Sequence, residues 1–510
     1  MRNLLYILFR VVKTSLRGND SQRGCHSRSN PMLNLLADCF TRKASFAMTL
    51  PMILLSMTFY SAKSQTDTTT VFSFEQFMER VKIHHPLAFQ AALQTEKGRA
   101  AVLNARGAFD PKVFGDVSQK YFDDNQYYSL VNGGLKIPTW FGVEVKAGYE
   151  ENHGLYLNPE NNTASGLWYA GISVPIGQGL FIDERRAALR QAQLYQQATE
   201  AERELLLNEL FYEAANAYWN WFLKYNNLLV YQNALTLASV RFTAIKQSSL
   251  LGDRPAIDTL EASIQLQMRQ LSLQQGILDF QNAGLQLSVY LWMNGSIPLE
   301  LDSATEPEAY RNALKTERQQ FSLAQVEALV DSHPKLQLYN FKLAHLDIER
   351  RLKMENMKPV LNLNYNPINE VVNGNPFTEY SIYNYKWGAQ FSMPLFLRKE
   401  RGALQMTKLY IRETEFTRSE ESLALLNTAK SYWNEWNTTG AQIELYAKTV
   451  EDFRKLLDAE QTLLNAGESS LFLVNSRETS YINAQMTLID LVAKREKAEA
   501  GILYSTASFR

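Results

Sequence analysis

The sequence predicts a mainly α-helical protein with a transmembrane β-barrel, built from two copies of one unit. The first observation is a repeat, in which Asn-Ala-Tyr-Trp-Asn-Trp at 216–221 is answered by Lys-Ser-Tyr-Trp-Asn-Glu-Trp at 430–436. The second is that both copies lie in long stretches almost without Gly or Pro, the residues that most oppose helix interiors. The third is a change of hydrophobic period from 3.6 to 2 between the helical stretches, which indicates two-faced strands.

The two longest helices are predicted around the repeated phrase. Residues 180–251 contain no Gly or Pro, and residues 403–466 contain only Gly440. A helix of some 70 residues reaches about 100 Å at 1.5 Å per residue. Since a globular domain is much narrower, such helices must span a gap or line a tube. Apolar residues at three-and-four spacing, such as Leu207, Leu210 and Ala214, predict a packed helical wall.

The elements follow the same order in both halves. Residues 65–310 form the first repeat, with an opening helix, a β segment at 112–176 and a helical hairpin at 183–295. Residues 311–510 form the second, with an opening helix, a β segment at 360–395 and a hairpin at 400–508. A His-Pro step at 85–86 and again at 333–334 starts a new helix, because proline fits the first helical turn.

The β segments alternate apolar and polar residues. In the first, 141, 143, 145, 147 and 149 are apolar or aromatic, and in the second the same holds for the odd positions from 383 to 393. Such strands need one apolar and one wet environment. A transmembrane barrel with an aqueous lumen provides both, and so does an antiparallel sheet packed on a soluble core. On alternation alone, the soluble sheet is favoured.

The number of predicted strands bears on the choice between a soluble sheet and a membrane barrel. We predict two to four strands in the first half, near 113–122, 127–137, 141–150 and 168–175, and two in the second, near 361–366 and 383–394. Four to six strands cannot close a lipid-embedded barrel, which needs at least eight. Open sheet edges cannot face lipid. A sheet of this size in a membrane must therefore be shared by several chains.

Each long helix ends in a turn signal and is followed by a second helix. The signals are Ser-Leu-Leu-Gly-Asp-Arg-Pro at 249–255 and Leu-Asn-Ala-Gly-Glu-Ser-Ser at 464–470. Glycine readily takes the left-handed conformation that ends a helix. Each half is thus predicted to form a helical hairpin with a tight tip, and both tips point the same way.

Residues 1–64 are predicted to be an N-terminal extension and an export signal. Arg42 and Lys43 precede an apolar core at 46–60, and Ala62-Lys63-Ser64 supplies a small-x-small cleavage site. A buried helix of a cytosolic protein is the alternative. A translation start placed too far upstream accounts for the first 40 or so residues. Both cysteines, at 25 and 39, lie in this part, so the exported chain has no thiol.

Charge and motifs exclude several functions. The formal net charge is −1, and without residues 1–64 the chain has 43 basic and 51 acidic residues, a net charge of −8. A nucleic-acid partner is therefore not expected, because no basic surplus is present. Phosphate-loop, Gly-x-Ser-x-Gly and His-Glu-x-x-His motifs are absent from the sequence. We therefore predict no enzyme activity and no cofactor. We also predict no metal site, since the adjacent side chains of His84 and His85 do not point to one metal ion.

In its duplicated order of elements the chain resembles the outer-membrane factor family, the TolC-like ducts of efflux pumps and type I secretion. The resemblance covers about residues 72–300 and 321–508. It rests on the two His-Pro openings, on Val-Pro-Ile-Gly-Gln-Gly at 174–179 followed by Arg185 and Arg186, and on tip glycines 252 and 467. The repeated order after an export signal is more specific than any of these alone.

The resemblance implies a homotrimer in the bacterial outer membrane. Three chains would share a barrel of twelve or more strands, and their helices would form a periplasmic tunnel. The protein would be a passive exit duct whose partners are a periplasmic adaptor, an inner-membrane transporter and outer-membrane lipid. A first half with four strands would give a barrel larger than the usual one.

The resemblance also suggests site residues. The candidates for adaptor contact at the tips are Leu251, Gly252, Asp253, Arg254, Asn465, Ala466, Gly467 and Glu468. Asp258 and Glu261, one turn apart, are candidates for an acidic ring in the pore. After the second tip, where the family carries a gating aspartate pair, this chain has Leu473 and Ser476. The alternatives are that the glycines only cap helices and that the two acidic residues are solvated surface charges.

Two other classes of protein remain to be weighed. One is a periplasmic coiled-coil scaffold or adaptor-like protein whose β segments form a soluble domain. The other is an enzyme, against which the lack of a convergent polar site argues. A duct should partition with outer membranes as an oligomer, whereas a scaffold should stay soluble.

Overall fold

The computed structural model describes residues 70–163, 166–302, 305–310, 321–370 and 381–509. The predicted export signal and both cysteines lie outside these residues. The described helices are α1 (Phe74–His84), α2 (Pro86–Arg106), α3 (Glu184–Leu250), α4 (Ala256–Ser288), α5 (Leu323–Val330), α6 (Pro334–Glu355), α7 (Arg398–Asn465) and α8 (Leu471–Ser505). None of the described helices combines the length and the hydropathy that crossing a membrane requires.

The two repeats begin with the same local chemistry. Ser73 and Ser322 each form a capping box, in which the serine hydroxyl accepts from the third backbone N–H and a Gln side chain accepts from the serine N–H. The following helices, α2 and α6, are capped by histidine. Nδ1 of His85 accepts from the Leu87 N–H at 3.2 Å, and Nδ1 of His333 accepts from the Lys335 N–H at 3.1 Å. The His-Pro steps therefore begin helices, as predicted.

The long helices α3 and α7 have 67 and 68 residues, or about 100 Å each. Gly440 lies inside α7 and does not end it. The repeated aromatic phrase is part of the core: Tyr218 and Trp221 are buried, and the Tyr218 hydroxyl donates to the Phe72 carbonyl at 2.8 Å. These aromatic residues pack between helices of the wall.

Six strands form one antiparallel sheet. They are β1 (Lys112–Phe122), β2 (Asn125–Pro138), β3 (Glu144–His153), β4 (Leu167–Pro175), β5 (Val360–Glu370) and β6 (Tyr385–Ser392). Their order in the sheet is β6-β5-β4-β3-β2-β1. The first half therefore contributes four strands and the second two, the upper end of the predicted range. The sheet is curled like half of a barrel, and the predicted fold class is confirmed.

The sheet joins the two halves of the chain. Strand β4 of the first repeat pairs with β5 of the second, with Ile172 opposite Tyr365. Beyond the strands, the Ile176 N–H donates to the Leu361 carbonyl at 2.8 Å and the Gln178 N–H donates to the Pro359 carbonyl at 2.8 Å. This is the basal end of the sheet, at which all six strands connect to helices or to the short turn between β2 and β3.

Candidate functional site

One face of the sheet is apolar and exposed. The register places Val145 opposite Ile172 and Tyr365 opposite Trp387 on this face. Its large side chains that expose more than a third of their area are Val113, Val117, Val131, Leu135, Val145, Trp168, Ile172, Leu363, Tyr365, Tyr385, Trp387 and Phe391. Soluble monomers rarely expose a continuous apolar patch larger than a few hundred Å². This face therefore needs a lipid or protein partner.

The opposite face is polar. Its side chains include Lys112, Asp116, Asn132, Lys136, Lys146, Glu150, Asn362, Asn364, Asn366, Lys386 and Gln390. Tyr169 also lies on this face and donates through its hydroxyl to Asn132 at 3.0 Å. A sheet with one apolar and one polar face has the arrangement of a lipid-embedded barrel around water.

Aromatic residues lie near both ends of the apolar face. Away from the helices, the Tyr149 and Trp168 rings are 5.2 Å apart and the Tyr365 and Tyr385 rings are 5.7 Å apart. At the basal end, Phe391 is 67% exposed. Tyr385 and Phe391 are six residues apart on β6, or about 20 Å along a strand. This is comparable with the roughly 25 Å apolar band that aromatic girdles flank in membrane barrels.

Both edges of the sheet are open within the described residues. Strands β1 and β6 each pair with one neighbour only. Nearly every residue of both strands is exposed. Because six is an even number, β6 of one copy and β1 of another run in opposite directions when copies are placed side by side. The sheet can thus be extended by its own copies in the antiparallel pattern.

The two hairpin tips have the same backbone geometry. Gly252 and Gly467 have φ of +87° and +80°. In each tip the N–H after the glycine donates five residues back, from Asp253 to Ser248 at 3.0 Å and from Glu468 to Leu463 at 2.9 Å. This is the Schellman motif that ends helices at a left-handed glycine. No atom lies within 4 Å of where a Cβ would stand on either glycine, so both glycines face open space.

The structure brings the two tips together through Arg254. One guanidinium nitrogen donates to the Leu464 carbonyl at 3.3 Å, and another lies 3.5 Å from Asp258. The predicted tip residues Leu251, Gly252, Asp253, Asn465, Ala466, Gly467 and Glu468 are exposed, whereas Arg254 is partly buried. Arg254 therefore links the tips, and the other residues form an accessible surface. Their role in adaptor contact stays a prediction.

The two candidate pore acids lie in different environments. Asp258 is paired with Arg254, while Glu261 accepts from the Asn475 side chain at 2.9 Å. Both are partly buried, and each has a partner in its own chain. Leu473 and Ser476, at the positions where the family carries an aspartate pair, are exposed. The acidic-ring role of Asp258 and Glu261 stays a prediction.

A polar network above the tips was not identified from the sequence. Arg241 of α3 forms a short ion pair with Glu478 of α8, and it donates to Asn475 at 3.2 Å. Through Asn475 the network reaches Glu261 of α4. Glu478 and Asn475 are 3% and 5% exposed, so this network is buried in the wall and joins the two hairpins.

The sequence did carry a signal for this network. Glu478 follows buried Val474 by four residues and precedes buried Ile482 by four. It therefore lies on the apolar stripe of its helix, where a carboxylate requires a partner. The partner, Arg241, is 237 residues away in the chain, and only the folded structure identifies it.

Comparison with known proteins agrees with these features. Residues 359–507 match the model of the outer membrane efflux protein family. No curated protein matches the chain in sequence.

Solved outer-membrane channels share the fold. The Campylobacter jejuni channel CmeC superimposes with a TM-score of 0.59 at 13% identity, over 85% of each chain. The Neisseria gonorrhoeae channel MtrE, in its open state, gives 0.62 at 14% identity over 85% of this chain and 88% of its own. The Vibrio cholerae outer membrane protein VceC gives 0.60 at 13% identity over 85% and 95%. At these identities the likeness shows the fold.

The predicted family resemblance is confirmed by the family match and the shared fold. The matched family consists of outer membrane efflux proteins. This agrees with the predicted outer-membrane location and with the prediction that the chain is not an enzyme.

Proposed function

We propose that this chain, whose residues 359–507 match the model of the outer membrane efflux protein family, is the passive exit duct of a tripartite efflux pump or type I secretion system. Three copies share one barrel in the outer membrane, and their helices form a tunnel through the periplasm. The observation that carries the proposal is a six-stranded sheet with an exposed apolar face and two open edges. Such a sheet is stable in lipid only when its edges are paired.

Three copies of six strands give an eighteen-stranded barrel. With strands 4.8 Å apart and tilted by about 40°, its backbone diameter is about 36 Å, against about 24 Å for twelve strands. Barrels of 16 to 18 strands leave an aqueous channel. The exit is therefore wide enough for bulky solutes.

The helices support the same assembly. On α4, five exposed residues recur every seventh position: Ile257, Ile264, Leu271, Leu278 and Leu285. On α7, Leu409, Phe416 and Leu423 are exposed at the same spacing. Apolar residues at heptad spacing pack against a neighbouring helix. Within the described chain, α4 packs on α3, and α7 packs on α8, α6 and α5. The residues of the two stripes stay exposed, so they are available for a second copy.

Cross-linking tests the shared barrel. In a full-length chain with both natural cysteines changed to serine, Val117→Cys on β1 and Ala389→Cys on β6 should cross-link into covalent dimers and trimers with a short bifunctional reagent. The matched control, Val145→Cys with Ile172→Cys, places directly opposite residues on neighbouring strands of one chain and should give monomers only. Monomers from both variants, together with solubility without detergent, would favour the scaffold alternative.

Conductance tests the duct. The purified oligomer should form ion-conducting channels in planar bilayers, and cells lacking the gene should retain an exported drug or protein. A protein that assembles in membranes but never conducts would contradict the exit-duct function.

Tip variants test the proposed adaptor contact. Asn tolerates the left-handed conformation better than other non-glycine residues, so Gly252→Asn with Gly467→Asn keeps the turns while adding two side chains to the exposed tip surface. We expect the double variant to assemble and conduct but to fail in restoring export. Full restoration would show that the tips do not engage a partner closely.

A further inference from the structure

We propose that a cationic cluster at the basal end of the lumen face binds anionic groups of solutes as they pass from the helical tunnel into the barrel. The inference rests on the proposed duct function. The cluster, called here the basal lysine cluster, consists of Lys112, Lys136 and Lys146 together with Arg185. Because of this cluster, the entrance from the tunnel into the barrel favours anionic solutes.

The three lysines stand side by side. Lys112 is opposite Lys136, and Lys136 is opposite Lys146, in the register of β1, β2 and β3. All three are on the polar face and within two residues of the basal ends of their strands. Adjacent strands are about 4.8 Å apart. Like charges directly opposite on neighbouring strands destabilise a sheet, so this arrangement has a cost that a bound anion would offset.

The carboxylates of the chain neutralise the cluster only in part. Glu144 lies 3.1 Å from Lys136, 3.4 Å from Lys146 and 3.9 Å from Arg185. Asp183 caps α3 and pairs with Arg185 at 3.7 Å and with the neighbouring Arg186 at 3.2 Å.

When Arg186 is counted with the four cations of the cluster, five cations and the two carboxylates of Glu144 and Asp183 leave three net positive charges per copy. Among the residues that the structure describes, no carboxylate forms an ion pair with Lys112. The Lys136 and Lys146 side chains are 42% and 35% exposed, so solutes in the lumen have access to them.

The next charged positions toward the cell exterior have the opposite sign. Asp116 of β1 and Glu150 of β3 are both opposite the uncharged Asn132 of β2, four residues farther along these strands, or about 13 Å away. On these three strands, the polar face thus changes from cationic at the base to anionic four residues farther out. An anion that enters from the tunnel meets the cationic end first.

The reach of the cluster depends on salt. The Debye length is about 10 Å at 0.1 M and 3 Å at 1 M. The barrel axis is about 18 Å from the backbone of the wall. At 0.1 M salt the electrostatic field of the lysines therefore extends over about half of the distance from the wall to the axis. At 1 M salt it does not extend beyond the immediate surroundings of the side chains.

Bilayer recording of the assembled channel tests the inference. In a KCl gradient near 0.1 M, the wild-type channel should prefer chloride over potassium, and citrate added on the periplasmic side should block the current. Lys112→Gln with Lys146→Gln removes two charges and leaves the pair of Lys136 with Glu144. We expect the permeability ratio of chloride to potassium to fall about twofold or more, because two of three net charges are lost, and citrate block to disappear.

Two controls separate this effect from loss of the fold. Lys97→Gln with Lys408→Gln removes the same charge from exposed positions on α2 and α7 and should leave selectivity and block unchanged. Asp116→Asn with Glu150→Gln should raise the preference for anions. At 1 M salt all variants should converge, since the charges are screened.

The outcomes distinguish the inference from the duct itself. A wild-type channel that conducts but prefers cations, or a lysine variant that keeps wild-type selectivity and block, would overturn the inference and leave the duct intact. A protein that forms no channel at all would overturn both.

Discussion

The buried network of Arg241 and Glu478 allows a prediction with a definite magnitude. Glu478→Gln keeps the size of the side chain and removes its charge, so the Arg241 guanidinium is left charged in a wall position where the glutamate is 3% exposed. Breaking a buried ion pair by removing one partner costs about 3–5 kcal/mol. Arg241 also donates a hydrogen bond to Asn475, and Asn475 donates one to Glu261. Because these contacts depend on the same ion pair, we expect a loss of about 3–5 kcal/mol in the free energy of unfolding.

The assay is unfolding of the purified protein in detergent, followed by the far-ultraviolet circular dichroism of its helices. Arg241→Met should destabilise the protein like Glu478→Gln. The double variant Arg241→Met with Glu478→Leu should recover most of the loss, because a buried ion pair can often be replaced by apolar side chains at little cost. The exposed pair of Arg454 and Glu451 is the matched control, and Glu451→Gln should have little effect because surface pairs contribute little.

The reasoning would be refuted by a loss below about 1 kcal/mol for Glu478→Gln, since that is the range of surface pairs. It would also be refuted if the apolar double variant were as unstable as the two single variants added together. In that case the loss of stability would come from changing the side chains at these two positions, rather than from leaving one charge unpaired.

Two further predictions concern helix ends and helix crossings. Burial lowers the pKa of His333, so the stability that its neutral form contributes is present above the unfolded pKa of about 6.5 and is lost as the pH falls through the lower folded value. Thermal melts from pH 7.5 to 5 should show this loss in the wild type and a smaller one in His333→Asn, which keeps a capping side chain. Equal pH dependence would refute the assignment. A Cβ on Gly501 would lie within 2.6 Å of three atoms of the Tyr432 ring, whose hydroxyl forms a 2.8 Å hydrogen bond with the Tyr212 hydroxyl, so Gly501→Ala should destabilise the protein by about 1–3 kcal/mol. Gly440→Ala, whose Cβ would have no neighbour closer than 3.5 Å, should instead stabilise α7 by about 1 kcal/mol, and the same sign for both variants would contradict the packing.

Much of the fold was predictable because it depends on local sequence. The long helices follow from stretches without Gly and Pro, and the aromatic phrase at 216–221 marks the buried part of α3. The alternating segments at 141–149 and 383–393 correspond to β3 and β6 with small shifts of their ends. The tip glycines at 252 and 467 were identified because a helix end requires a left-handed residue there.

The candidate site was predictable only in part. No local pattern indicates that Arg254 binds the Leu464 carbonyl or that Arg241 pairs with Glu478, because the partners in each pair are more than 200 residues apart in the chain. The basal lysine cluster was likewise hidden, since Lys112, Lys136 and Lys146 become neighbours only through the register of three strands.

The sequence by itself determined the duplicated order of elements, the lengths of the helices and the two-faced character of the strands. These properties arise from backbone preferences and from the period of apolar side chains, which act over a few residues. Only the tertiary structure decided that the first half supplies four strands, that β4 pairs with β5, and which charged side chains meet. Such contacts depend on which distant surfaces fit together, and no short stretch of sequence encodes that fit.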